Sequence, residues 1–136
     1  MTGVELETRW QAIEKLLFQA NVTVQDSTNN SDIAAFNGEQ LPNQSEITAY
    51  ARATYHALQS WQLWSELIIS RDRFFDLGNF LPAEDTATMN LGAMWQKGKL
   101  RAELTLNNIT NDTIEDFNGF PRPERAVHLG AAYRFK

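Results

Sequence analysis

Apolar and polar residues trade places at every step through seven stretches of this chain, and the connections between them run short, long, short, long, short, long. Side chains of a β-strand alternate between two faces, so this pattern specifies ribbons with one oily and one wet face. Tight turns at one end and long loops at the other fit an up-and-down β-barrel in an outer membrane, and few other architectures need both patterns together.

In segment 3–13, Val4, Leu6, Thr8, Trp10 and Ala12 share one face, against Glu5, Glu7, Arg9 and Gln11. In 16–25, Leu16, Phe18, Ala20, Val22 and Val24 alternate with a polar set that only Leu17 interrupts. The cleanest segment is 46–58, with Ile47, Ala49, Ala51, Ala53, Tyr55 and Ala57 opposite Thr48, Tyr50, Arg52, Thr54 and His56. Four further segments begin at Trp61, Ala87, Leu100 and Val127 and alternate in the same way. Tight turns are expected at Glu14-Lys15, Gln59-Ser60 and Lys97-Gly98-Lys99, the last with glycine where a positive φ is needed. Stretches 26–45, 71–85 and 108–126 are rich in Asn, Asp, Ser, Gly and Pro and read as long loops. Segment 9–20 also has Trp10, Ile13, Leu17 and Ala20 at helical spacing, and 46–58 is rich in helix-forming alanine. Alternation that recurs in every segment, with turn signals between, decides for strands. The expected fold is all-β: an antiparallel up-and-down meander of about seven amphipathic strands.

Composition narrows the function classes. The formal charge is −5 and no basic face stands out, which argues against a nucleic-acid partner. With no cysteine, disulfides and thiolate chemistry are excluded. Mean hydropathy is −0.42. No stretch approaches the ~18–20 apolar residues of a transmembrane helix, whereas a barrel strand needs only ~9–11 residues, half of them facing a wet lumen. Residues 1–7 lack the basic start and apolar run of a signal peptide, so a membrane reading implies a piece of a longer precursor. Trp10, Trp61 and Trp95 sit at strand ends beside the short turns, where a half-wet ring suits the membrane interface; Tyr133 and Phe135 join them at the end of the last strand.

The C-terminal third resembles the end of a TonB-dependent outer-membrane receptor. The residues that carry the likeness are Leu104-Thr105-Leu106-Asn107-Asn108-Ile109-Thr110-Asn111, then Gly119-Phe120-Pro121-Arg122-Pro123-Glu124-Arg125, then His128-Leu129-Gly130-Ala131-Ala132-Tyr133-Arg134-Phe135. The opening Gly3-Val4-Glu5-Leu6-Glu7 is similar to a strand opening of that family. The chain departs from the family pattern at Glu124, where glycine is usual, at Ile114, near a usual tyrosine, and at Lys136, which follows the final aromatic. The resemblance implies that residues 1–136 are the C-terminal part of a larger transmembrane β-barrel in the outer membrane of a Gram-negative bacterium, without plug domain or signal peptide. It implies as partners outer-membrane lipid, a plug domain, the remaining barrel strands, the barrel-insertion machinery through the last strand, and TonB only through a segment outside this chain. The whole receptor would import a ferric siderophore or similar scarce solute; this piece would supply wall and loops and transport nothing alone.

On this reading Arg122 and Arg125, Phe117 and Phe120, and Phe74 and Phe75 are candidate ligand-contacting residues in extracellular loops, with Phe80 beside them. An alternative role for Arg125 and its neighbouring prolines is to fix the loop to adjacent strands. Arg52, Arg101, Glu66 and Glu103, on wet faces, are expected to pair with a plug or with one another. His56 and His128 lack metal-ligand spacing, and neither Ser60 nor Ser65 stands in a nucleophile motif, so no enzyme, metal or cofactor is expected. Two other functions compete: a soluble β-barrel with its oily face inward around a small ligand, and an outer-membrane barrel protease or lipase that depends on His56 or His128.

Overall fold

The structure, a computed structural model, describes residues 1–135. It contains nine strands: β1 Thr2–Ile13, β2 Leu16–Asp26, β3 Ile47–Leu58, β4 Trp61–Arg71, β5 Thr86–Lys97, β6 Leu100–Asn107, β7 Glu115–Phe117, β8 Phe120–Pro121 and β9 Ala126–Tyr133. Seven of them form one antiparallel sheet in the order β1-β2-β3-β4-β5-β6-β9, and β7 and β8 form a small hairpin inside the third long loop. The segment with helical spacing, 9–20, is strand and turn. Gly98 takes φ +59° in the β5–β6 turn, as its place in the sequence requires. Five loop residues other than glycine also have positive φ: Asn43, Asp72, Asn79, Asn108 and Asn111. Asn and Asp tolerate that region better than other side chains, so the Asn-rich loop composition has a conformational basis.

Register keeps the two faces apart across the whole sheet. One apolar row runs Trp10↔Phe18↔Ala53↔Ser65↔Leu91↔Leu106↔Val127. The adjacent wet row runs Gln11↔Leu17↔Thr54↔Trp64↔Gly92↔Thr105↔His128. A slip of one residue in any pairing would turn a whole strand over.

Burial is inverted relative to a soluble protein. Among the described residues no hydrophobic side chain is buried, while Thr54 and Thr88, on the wet face, are. Apolar residues of the other face, such as Leu63, Leu67 and Leu104, stand exposed. The wet face is thus the covered, inner side and the oily face the outer one. This arrangement removes the soluble alternative, which needed the oily face to close around an interior; the sheet is open between β1 and β9.

Arginine at Leu67, mid-strand on the oily face, is expected to destabilise the protein in lipid vesicles by ~2–4 kcal/mol, and arginine at Gln62 on the wet face by far less. Guanidinium unfolding of the two variants in vesicles reads the difference; equal effects would refute the assignment of faces.

Candidate functional site

The end of the sheet that carries the long loops is built by side chains that finish what the strands leave open. β6 pairs with β5 only from Leu91 onward, so the first part of β5 lacks a strand neighbour on that side. The start of the third loop takes its place. The Ala87 N–H donates to Asp112 Oδ2 at 2.6 Å, and the Ile109 N–H donates to the Met89 carbonyl at 2.8 Å. Asn108 organises this segment. It is buried, its N–H donates to Asn90 Oδ1, its amide donates to the Asp112 carbonyl, and its side-chain oxygen accepts from the Asp112 N–H. The Asn-rich motif that carried the family resemblance is, in this chain, a backbone-satisfying turn.

Below it lies a cluster on the wet face. Arg52 and Glu66 are cross-strand partners with an N–O separation of 3.4 Å. The Tyr50 hydroxyl donates to Glu66 at 2.9 Å, and Asn90 Nδ2 lies 3.5 Å from its other oxygen. The Arg52 guanidinium also lies over the Trp64 ring, 4.5 Å from its centroid, a cation–π geometry. Trp64 in turn covers its cross-strand partner Gly92, where a Cβ would come within 2.1 Å of the indole. Glycine is required there because the ring occupies the space of its missing side chain. Arg101 pairs with Glu103 on its own strand at 2.7 Å. The expected ion pairs on the wet face therefore form between neighbours within this wall.

The three long loops are tied to one another sideways. Between the first and second, the Gln40 N–H donates to Asn79 Oδ1 at 2.7 Å, the Asn79 amide donates back to the Gln40 carbonyl at 3.0 Å, and the Asn43 N–H donates to the Phe74 carbonyl. Asp76 folds the second loop around itself. Desolvation opposes its charge, but the N–H groups of Leu81, Phe80 and Gly78 outweigh that and hold its carboxyl below the ordinary aspartate range. Between the second and third loops, Arg73 donates to the Glu115 carbonyl at 2.7 Å and lies over the Phe75 ring.

Arg122 and Asp116 clamp the β7–β8 hairpin at 2.6 Å. The hydrogen bond from Arg122 pulls the Asp116 carboxyl below its usual range and raises the guanidinium in turn. Phe117 and Phe120 flank the hairpin turn, both largely exposed. Between this hairpin and the wet face lies a recess of about 480 Å³, lined on the loop side by Arg73, Glu115, Asp116, Arg122 and Glu124 and on the wall side by Asn90 and His128.

Of the loop residues singled out in the sequence, Arg122 reaches this recess, Phe75 lines a cleft beside it, and Phe74 lines one between the first two loops. The structure therefore brings these residues together only in part. Arg125 makes no side-chain hydrogen bond or ion pair among the described residues, and Arg122 is the residue that fixes the loop. The Trp64–Gly92 contact and the Arg73 tether were not visible in the sequence. The first becomes findable once register is known, because it sets a large ring opposite a glycine. At the short-turn end the oily face carries a band of aromatics: Trp10 stacks on Phe18 at 5.7 Å, Trp61 pairs across strands with Trp95, and Tyr133 meets Phe135 edge-on at 4.9 Å.

No protein-family model matches the chain, and no curated protein matches it. Solved structures do. The siderophore receptor PiuA from Acinetobacter baumannii superposes with a TM-score of 0.82 at 20% identity, over 96% of this chain and 21% of that one. The fold is that of a stretch of TonB-dependent receptor barrel. The ferric yersiniabactin uptake receptor FyuA from Yersinia pestis gives a TM-score of 0.77 at 16% identity, over 98% of this chain and 23% of that one. The receptor-type wall thus spans about a fifth of the length of the receptors it matches.

Two outcomes are expected for this site. Gly92→Ala forces the Trp64 ring off its seat and away from Arg52, and is expected to lower stability in detergent by ~1–3 kcal/mol, the usual range for overpacking. Trp64→Leu should relieve most of that penalty, which a double-mutant cycle measures. The Asp116–Arg122 clamp has a depressed carboxyl pKa, so its contribution is complete above the ordinary aspartate pKa and is lost as pH falls through the lowered one. Resonances of the Phe117 and Phe120 rings should hold steady through the usual aspartate range and shift only at lower pH. Asp116→Asn should abolish that acid transition.

Proposed function

We propose that this chain is barrel wall of an outer-membrane receptor that takes up a ferric siderophore or a similar scarce solute, and that its three long loops face the cell exterior. The observation that carries the reading is the inverted burial: an uncovered oily face, a covered wet face, and every long loop at one end. The oily face meets lipid, and the aromatic band of Trp10, Trp61, Trp95, Tyr133 and Phe135 lies at the periplasmic interface. The likeness to two siderophore receptors supports the solute class.

β1 and β9 each expose one row of backbone N–H and C=O groups, and in hydrocarbon every unpaired group costs several kcal/mol. Further barrel strands are therefore needed on both sides, with a plug domain against the wet face and the TonB-engaging segment outside residues 1–136. The last strand is the part that the insertion machinery would read. Ligand contact falls to loop residues, with Arg122, Arg125, Phe117, Phe120, Phe74 and Phe75 the first candidates. The reading assigns the protein no catalysis.

The natural absence of cysteine makes the topology testable. Single cysteines at Phe120 and Gln59 are introduced into the exported chain in Gram-negative cells. A membrane-impermeant maleimide is expected to label the Phe120 site on intact cells, and the Gln59 site only after the outer membrane is permeabilised. Labelling of both sites on intact cells, or recovery of the protein in the soluble periplasmic fraction, would overturn the reading.

A further inference from the structure

Charge is not spread evenly over this wall. The loops 27–46, 72–85 and 108–125 hold eleven of the seventeen Asp and Glu residues and three of the twelve Lys and Arg residues. Eleven against three is a formal −8 at one end of the sheet. The rest of the chain, with six acids and nine bases, is +3, which together give the overall −5. The bases present are already engaged. Arg122 is held by Asp116, and Arg73 by the Glu115 carbonyl and the Phe75 ring. By contrast, the carboxylates of Asp32, Glu39, Glu84 and Glu124 make no side-chain hydrogen bond or ion pair among the described residues. Glu124 lines the 480 Å³ recess, where Arg73 and Arg122 face Glu115, Asp116 and Glu124.

A mouth lined by one sign of charge repels ligands of that sign, and low-dielectric walls focus the field. We infer that this site selects ferric complexes by charge, binding cationic and neutral chelates and rejecting polyanionic ones. The inference rests on the receptor reading above and names the class of substrate within it. It reverses the role that the sequence suggested for Arg122: the guanidinium neutralises Asp116 and shapes the hairpin instead of receiving an anionic ligand. The wall side of the recess is suited to the same class. Asn90 and His128 offer hydrogen bonds, which fit the carbonyl and N–O oxygens of a hydroxamate chelate.

The test is equilibrium dialysis of the full chain, folded in detergent micelles, against three radiolabelled iron complexes: a ferric tris-catecholate trianion, a neutral ferric tris-hydroxamate, and an amine-bearing cationic tris-hydroxamate. The expected order of affinity is cationic, then neutral, then anionic, with the extremes roughly tenfold or more apart at low salt. The gap should close as the Debye length falls from ~30 Å at 0.01 M to ~3 Å at 1 M ionic strength. The triple variant Glu39→Gln, Glu84→Gln and Glu124→Gln removes three unengaged charges and should narrow the gap without loss of strand content. Equal or tighter binding of the trianion, or a gap indifferent to salt and to the triple variant, would overturn the charge inference and leave the receptor reading standing. Failure of all three complexes to bind a folded chain would instead remove the loops' role in ligand contact, and the charge inference with it.

Discussion

Cross-strand register is the constraint on which the rest of this wall depends. Six successive antiparallel pairings set oily residue against oily residue and wet against wet, from β1 to β9. The two faces meet different solvents, so any slipped pairing would put charges such as Glu66 or Arg52 against hydrocarbon. The same register brings Arg52 beside Glu66, Trp64 beside Gly92, and Trp61 beside Trp95. Wet-face cluster and interface band are thus two products of one alignment. No packed apolar core supports them, for no described hydrophobic residue is buried. The backbone ladder and the surrounding solvents do that work.

Strands and turns were legible because their signals are local. Alternation of period two identifies a half-wet strand without knowledge of its partner, and Gly98 marks its turn by its own conformational freedom. The loop limits at residues 26, 71 and 107 follow from the change to Asn, Asp and Pro. What the sequence hid was contact between residues distant along the chain. Nothing near Gln40 indicates Asn79, and nothing near Arg73 indicates Glu115. The β7–β8 hairpin was read simply as loop, since two- and three-residue strands are too short to show alternation. Its turn signal, Asn118-Gly119, was present but is short-range evidence only.

The family resemblance and the physical reading agree for a reason that can be stated. The Asn-rich motif after β6 satisfies the exposed edge of early β5, and Asn108 accepts the left-handed backbone this requires, with φ 50°. A chain that must end one strand earlier than its neighbour needs a substitute donor and acceptor there. Asn108 and Asp112 supply it. The charged residues behaved differently. Arg122 carried the right chemistry for an anion, yet its nearest carboxylate, six residues away, claimed it.

The sideways ties among the loops bear on how this rim behaves mechanically. Gln40 and Asn79 lock the first loop to the second, and Arg73 locks the second to the third. Three segments that look independent along the chain are therefore fastened into a collar. Force applied to the hairpin tip at Phe120 is transmitted through Arg73 and Asn79 to the first loop, so the collar tips as one piece rather than flapping loop by loop.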